Sequence, residues 1–212
     1  MTHLAIDTAN AYLSLALKHN NSIHTFLSSK INAHAEILIQ EIDNLLANQN
    51  LKLHNITDFI INLGPGSFTG LRIASSYLAG LLAFNKNPSI HSIDTFDISY
   101  SHFLLNNPNT TPYNSISVIL KADSLNSIFI KTYNPLNHTI TSNPSLTTLE
   151  NLNINNNTLY ILEDSISNNL SCDNKIIATK TSPIAMITAA SYFKKTLDKN
   201  QIISPKYLRT PF

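Results

Sequence analysis

A mixed α/β chain of two lobes is predicted by three observations in the 212-residue sequence. Three short strands open the chain up to Leu27, with Leu13, Leu15 and Leu17 alternating at period two, and apolar residues shift to helical spacing after Asn32. Short apolar strands and helices then take turns through Ile93. All four glycines lie between Gly64 and Gly80. Glycine is needed where the backbone takes positive φ or where another group approaches it closely, so those needs are concentrated at one strand-to-helix joint. A 43% apolar content over this length is enough to bury a core.

Each element follows from local chemistry. Leu4–Ile6 reads as a buried strand ending at Asp7, and Thr8-Ala9-Asn10 is turn chemistry. Leu13, Leu15 and Leu17 alternate with Ser14, Ala16 and Lys18, the pattern of a half-buried strand, and Ser22–Leu27 gives a third strand after Asn20-Asn21. Ala35, Leu38, Ile42, Leu45 and Leu46 recur at helical spacing, with Asn32 as N-cap and an end near Asn48 to Asn50. Phe59–Leu63 is a strand that runs into the glycines, a second helix spans Thr69 to Phe84, and Pro88–Ile93 is the next strand.

The order β-β-β-α-β-α-β, a meander followed by crossovers, is that of a ribonuclease H-like lobe, the building block of the actin-like ATPase and sugar-kinase group. The later chain carries strands at Ser115–Leu120, Ser127–Tyr133, Leu159–Leu162 and Ile176–Ala178, with loops expected over Asn134–Thr158. A last helix runs from Ser182 or Pro183 to Asp198, with Pro183 suited to its first turn. The expected fold is therefore two ribonuclease H-like lobes of the actin-like type. The first covers residues 1–100; the second is reduced and covers 101–212, with its last helix free to pack back on the first.

The phrase Gly64-Pro65-Gly66-Ser67-Phe68-Thr69-Gly70-Leu71-Arg72 invites a phosphate reading, because Ser67 or Thr69 can cap a helix whose free amides attract anions. It is neither a P-loop, since no lysine follows the last glycine, nor a dinucleotide fingerprint. The structural alternative gives Gly64 and Gly66 to a tight turn around Pro65, and Gly70 to a close backbone approach. Gly80 lies inside the following helix, where glycine costs about 1 kcal/mol relative to alanine. With Ser76 it forms a small-residue stripe at four-residue spacing, which lets another helix approach closely, either within the chain or from a second subunit.

These residues carry a resemblance. Ala5-Ile6-Asp7-Thr8, then His34-Ala35-Glu36 with Leu38, then GPGSFTGLR are similar to the TsaB (YeaZ) family of bacterial tRNA threonylcarbamoyladenosine synthesis, over about the first 95 residues. Pro205-Lys206-Tyr207-Leu208-Arg209 resembles the family's closing motif. The chain departs from the family at Lys121-Ala122-Asp123, where Asp-Ala-Arg is usual, and at Glu163-Asp164-Ser165, where Gly-Asp-Gly is usual.

The resemblance implies a non-catalytic subunit that pairs with a TsaD homologue. With the TsaE ATPase, that complex transfers threonylcarbamoyl to N6 of adenosine 37 in tRNAs reading ANN codons. No cofactor would be intrinsic to this chain; ATP and threonylcarbamoyl-adenylate would be used by the partner complex, and tRNA would be met through it. The implied pairing surface is the first two helices, carried here by His34, Leu38, Arg72, Ser76 and Gly80, and the same helices would support a homodimer. Gly64, Gly66 and Gly70 would be the structural loop.

Two other classes compete. An actin-like kinase or ATPase needs phosphate-binding glycines in both lobes, and none follows Gly80; Asp7 is then either a buried hairpin cap or a magnesium ligand. A glycoprotease-like metallopeptidase needs clustered histidines, whereas the eight here are dispersed. His34 stands alone on its helix and is expected to be exposed or at an interface. Ser67 lacks the elbow of a nucleophilic hydrolase. A net charge of +1 gives no broad footprint for nucleic acid, and one cysteine excludes a disulfide framework. With no leader and no long apolar run, a cytoplasmic chain without a membrane span is expected.

Overall fold

The computed structural model describes residues 1–84, 88–107, 112–122, 126–178 and 182–197. Asp123, the end of the last expected helix at Asp198 and the closing motif at 205–209 lie outside the described residues. The chain divides into two units, Met1–Ile98 with Thr181–Phe212, and Ser99–Lys180.

The first unit opens with β1 (Thr2–Asp7), β2 (Tyr12–His19) and β3 (Ser22–Ile31), followed by α1 (His34–Ala47), β4 (Asp58–Asn62), α2 (Phe68–Phe84), β5 (Ser89–Ile93) and α3 (Thr95–Asn106), which begins there. The second unit holds β6 (Ser115–Lys121), β7 (Ser127–Tyr133), β8 (Ile140–Thr148), β9 (Thr158–Glu163) and β10 (Lys175–Ala178). The chain returns to the first unit with α4 (Pro183–Phe193) and β11 (Lys195–Thr196).

The first sheet has the order β11-β5-β4-β1-β2-β3. The β1–β2–β3 meander is antiparallel, and β4 and β5 add parallel to β1. Leucines at 13, 15 and 17, fully buried, share one face with Leu4 and Ile6, and α1 and α2 cover it with Leu38, Ile42, Leu46, Ala74 and Leu78. Ala5 and Ala16 face the other way, where α4 crosses β1, β2, β3 and β5 with Ala185, Met186, Ala189 and Ala190 buried. That packing, with the β11–β5 pairing, takes residues 183–196 out of the lobe expected over 101–212.

The second sheet, β10-β9-β6-β7-β8, repeats the connectivity of β5-β4-β1-β2-β3. Its crossovers are reduced. Where the first unit has α2, the second has a 3-10 turn over Asp164–Asn169, whose Ile166 closes a small core of Ile119, Ile128, Tyr160 and Leu162. Tyr100 stacks on Tyr133 with ring centroids 4.2 Å apart.

Four expectations need correction. Residues 134–158 were expected as loops, but β8 pairs with β7 there. Helix α3 was not foreseen. Ala33, not Asn32, occupies the N-cap of α1; Asn32 takes φ 57° and donates its N–H to Ala11 O at 2.8 Å, the left-handed turn asparagine tolerates. Finally, α4 stops at Phe193, because Lys194 leaves helical geometry to let β11 reach β5.

Candidate functional site

The glycine phrase is clamped to the β1–β2 hairpin. Gly64 has φ 97°, a conformation that suits glycine, and its N–H donates to Asn62 Oδ1 at 2.9 Å. A Cβ on Gly66 would collide with Ala9 O, and one on Gly70 with Thr8 O, so neither position has room for a side chain. Ser67 N–H donates to Ala9 O at 2.7 Å, and the Thr8 hydroxyl donates to Gly70 O at 2.7 Å. Ser67 Oγ accepts the Gly70 N–H at 3.2 Å, capping α2.

Beneath the clamp lies a buried polar network. Asp7 Oδ1 accepts from Ala9 N–H at 2.8 Å and Asn62 Nδ2 at 2.9 Å, and Oδ2 accepts from Asn10 Nδ2 at 3.0 Å. Burial pushes the Asp7 carboxyl above the usual range, while the Ala9, Asn62 and Asn10 donors and His34 pull it back. Thr95 joins by donating its hydroxyl to Pro65 O at 2.6 Å and its N–H to Gly64 O at 3.1 Å. Ala9 N–H and the Gly70 and Leu71 amides of α2 are thus engaged inside the protein.

His34 is buried, contrary to the expectation of an exposed or interface residue, and its Nε2 lies 2.8 Å from Asn10 O. It ties the start of α1 to the hairpin. Leu38 is 2% exposed and belongs to the core. A groove of about 540 Å³ runs between α1 and α2, lined by Ala35, Leu38, Ile39, Phe68, Arg72 and Ser76 among others. Leu38 is its floor. The Arg72 guanidinium lies over the Phe68 ring, 4.4 Å from the centroid. Tyr77, also lining the groove, has its phenol pushed up to about 12, first by burial and then by the Asp43 charge.

Gly80 lies beyond the groove, and among the described residues nothing outside its own helix backbone comes within 4 Å of where its Cβ would be. Ile39 and Phe68, respectively 60% and 47% exposed, flank the groove and were missed in the sequence. Ile39 stands outside the apolar arc of α1, which was a usable signal. Asn62 was also missed; a polar residue closing an apolar strand is its only mark.

Among the described residues, no group of three or more His, Cys, Asp or Glu side chains is placed to hold a metal, and no helix is long and apolar enough to cross a membrane.

Two sheets of matching connectivity, one retaining its crossover helices, define the class: an actin-like, ribonuclease H-like pair of lobes. Residues 26–211 match the family model described as TsaD: tRNA N6-adenosine threonylcarbamoyltransferase. The chain belongs to this family, among its TsaB (YeaZ) members.

The chain is 31% identical over 94 residues to the tRNA threonylcarbamoyladenosine biosynthesis protein TsaB of Buchnera aphidicola, covering 44% of this chain and 42% of that protein. It is 32% identical over 81 residues to the TsaB of Haemophilus influenzae, covering 38% and 34%. It thus spans less than half the length of the curated relatives it matches. Two solved structures from Pseudomonas aeruginosa show the fold. One is described as an uncharacterized protein with similarity to peptidase YEAZ, with TM-score 0.82, 17% identity, and coverage of 98% of this chain and 99% of that one. The other is YeaZ, with TM-score 0.80, 16% identity, and coverage of 98% and 99%.

Proposed function

We propose that this chain is an accessory subunit of tRNA threonylcarbamoyladenosine synthesis. It acts by docking the α1/α2 face against a TsaD homologue, without independent chemistry. The observation that carries the reading is the groove between α1 and α2, with Ile39 and Phe68 exposed beside it and Gly80 facing open space. An interior helical glycine whose Cβ position meets no other described residue is a cost of about 1 kcal/mol that no described contact offsets. Close approach of a partner helix offsets it. The family and the names of the relatives supply the chemistry of the assembly.

Within this reading Arg72, Ser76 and Gly80 meet the partner directly, Leu38 supports the groove from below, and His34 fixes the start of α1. The clamp of Gly64, Gly66 and Gly70 holds α2 at its angle to the hairpin. ATP and threonylcarbamoyl-adenylate belong to the partner complex, TsaE joins that complex, and the same face serves a homodimer when the partner is absent.

Co-expression with the TsaD homologue of the same organism tests this. Co-purification that Ser76→Trp abolishes, together with tRNA modification that depends on this chain, supports the reading. ATP hydrolysis or peptidase activity by the purified chain contradicts it.

A further inference from the structure

Consecutive residues of the β1–β2 turn hold the starts of both groove helices. Thr8 and Ala9 serve α2: the Thr8 hydroxyl donates to Gly70 O at 2.7 Å, and Ala9 O accepts the Ser67 N–H at 2.7 Å. Asn10 and Ala11 serve α1: Asn10 O lies 2.8 Å from His34 Nε2, and Ala11 O accepts the Asn32 N–H at 2.8 Å. A carbonyl can only accept, so His34 Nε2 is the donor and the tautomer is set. Both walls of the groove therefore start from one short turn.

A single side chain ties the two halves of that turn together. Asp7 Oδ1 accepts the Ala9 N–H at 2.8 Å, from the half that holds α2, and Oδ2 accepts Asn10 Nδ2 at 3.0 Å, from the half that holds α1. Asn62 Nδ2 donates to Oδ1 at 2.9 Å and fixes the carboxylate against β4. Asp7 is fully buried and is not among the residues lining the groove, so a docked partner does not reach it. A carboxylate offers acceptors on both sides, and the three donors use both. An amide offers an acceptor on one side only, so an asparagine here would turn an N–H toward either Asn10 or the Ala9 and Asn62 donors.

We infer that Asp7 is a positioning residue for docking: through the turn from Thr8 to Ala11 it sets the spacing of α1 and α2, and with it the shape of the groove that a partner must fit. This role rests on the docking function proposed above and adds to it a buried determinant outside the docking surface. A surface held ready before association costs less to order on binding, so loosening its support lowers affinity without removing a contact.

The experiment takes two readings on the full chain. The first is the distance between nitroxide labels at Gln40→Cys on α1 and Ala79→Cys on α2, both exposed sites, measured by pulsed electron resonance in a Cys172→Ser background with no partner present. Asp7→Asn and His34→Leu are expected to shift or broaden that distance. His34→Gln, which keeps an N–H donor for Asn10 O, is expected to hold it near the wild-type value. The second is affinity for the TsaD homologue by titration calorimetry, where Asp7→Asn and His34→Leu are each expected to weaken pairing about tenfold, ~1.4 kcal/mol, and His34→Gln to pair as wild type does. Both act through the same turn, so the double variant Asp7→Asn/His34→Leu is expected to lose less than the sum.

Ile60→Val is the control. Ile60 is buried beside Ala5 on the face of the sheet away from the groove helices, so this change lowers stability while leaving label distance and affinity as they are. Circular dichroism confines the comparison to folded variants. If Asp7→Asn does not fold, Asn10→Ala, which removes the bond to Asp7 Oδ2 and keeps the Asn10 carbonyl, takes its place with the same expected direction.

An unchanged label distance in the folded variant overturns the inference, as does an equal effect of Ile60→Val. Binding of magnesium–ATP by the wild-type chain that Asp7→Asn abolishes assigns the carboxylate to a ligand and overturns it too. A wild-type chain that does not pair overturns the proposed function, and the docking role with it. A chain that pairs while Asp7→Asn keeps both label distance and affinity overturns this inference alone.

Discussion

Thr8 and Gly70 are locked together twice: the Thr8 hydroxyl donates to the Gly70 carbonyl at 2.7 Å, and the Thr8 carbonyl occupies the space a Gly70 side chain would need. The contact joins the β1–β2 hairpin to the first turn of α2, 62 residues apart in sequence, and so sets where one wall of the groove stands.

Gly70→Ala is therefore expected to destabilise the fold by about 3 kcal/mol, the upper range for overpacking, because the obstacle is backbone rather than a flexible side chain. Urea denaturation monitored by circular dichroism checks this. A midpoint equal to wild type would mean the clamp yields freely.

Asn62 holds Asp7 with its amide N–H and the Gly64 N–H with its carbonyl oxygen. Asn62→Leu keeps the volume but leaves buried polar groups without partners, at a cost of roughly 2–4 kcal/mol. Its effect and that of Gly70→Ala are expected to be less than additive, which a double-mutant cycle reads out.

At Gly80 the sign is reversed. With no other described residue within 4 Å of the position, Gly80→Ala is expected to stabilise the isolated chain by about 0.5–1 kcal/mol through helix propensity. Gly80→Trp is expected to leave the isolated fold intact and weaken pairing with the TsaD homologue by roughly tenfold or more, ~1.4 kcal/mol. Melting temperature and a titration of the two subunits separate the effects.

The half-buried Asp58 and the buried Asp7 differ in pH response. At Asp58 burial opposes the charge, but the Thr57 and His91 hydrogen bonds and the histidine charges outweigh it, so the folded carboxyl titrates below its ordinary range. Its contribution is present above the unfolded pKa near 3.9 and is lost as pH falls through the lower folded value. The stability gap between wild type and Asp58→Asn is thus expected above the unfolded value and should close as pH falls through the lower folded one. Asp7 has the opposite sign, since burial raises it: its term is present below the unfolded pKa and is lost as pH rises through the folded value. Urea midpoints of Asp58→Asn and Asp7→Asn against wild type, followed as pH is varied on either side of the ordinary carboxylate value, check the signs.

The first unit was legible because its strands alternate and α1 presents one clear apolar arc. Helix α3 was not, because residues 93–101 are all buried and show no amphipathic period. Strand β8 was hidden for the opposite reason: it is a sheet edge in which Asn143, Pro144 and Ser145 stand among partly exposed residues without alternation. The site divides the same way. Local glycine chemistry marked the clamp, whereas the burial of His34 depends on Asn10, 24 residues away, which no spacing rule reports.

The most direct test of the account is the affinity of this chain for the TsaD homologue, measured by isothermal titration with wild type, Ser76→Trp and a surface control on β8, Thr141→Trp. The account predicts that wild type and control bind alike and that Ser76→Trp loses binding while remaining folded. Equal binding by all three would contradict docking through the α1/α2 face.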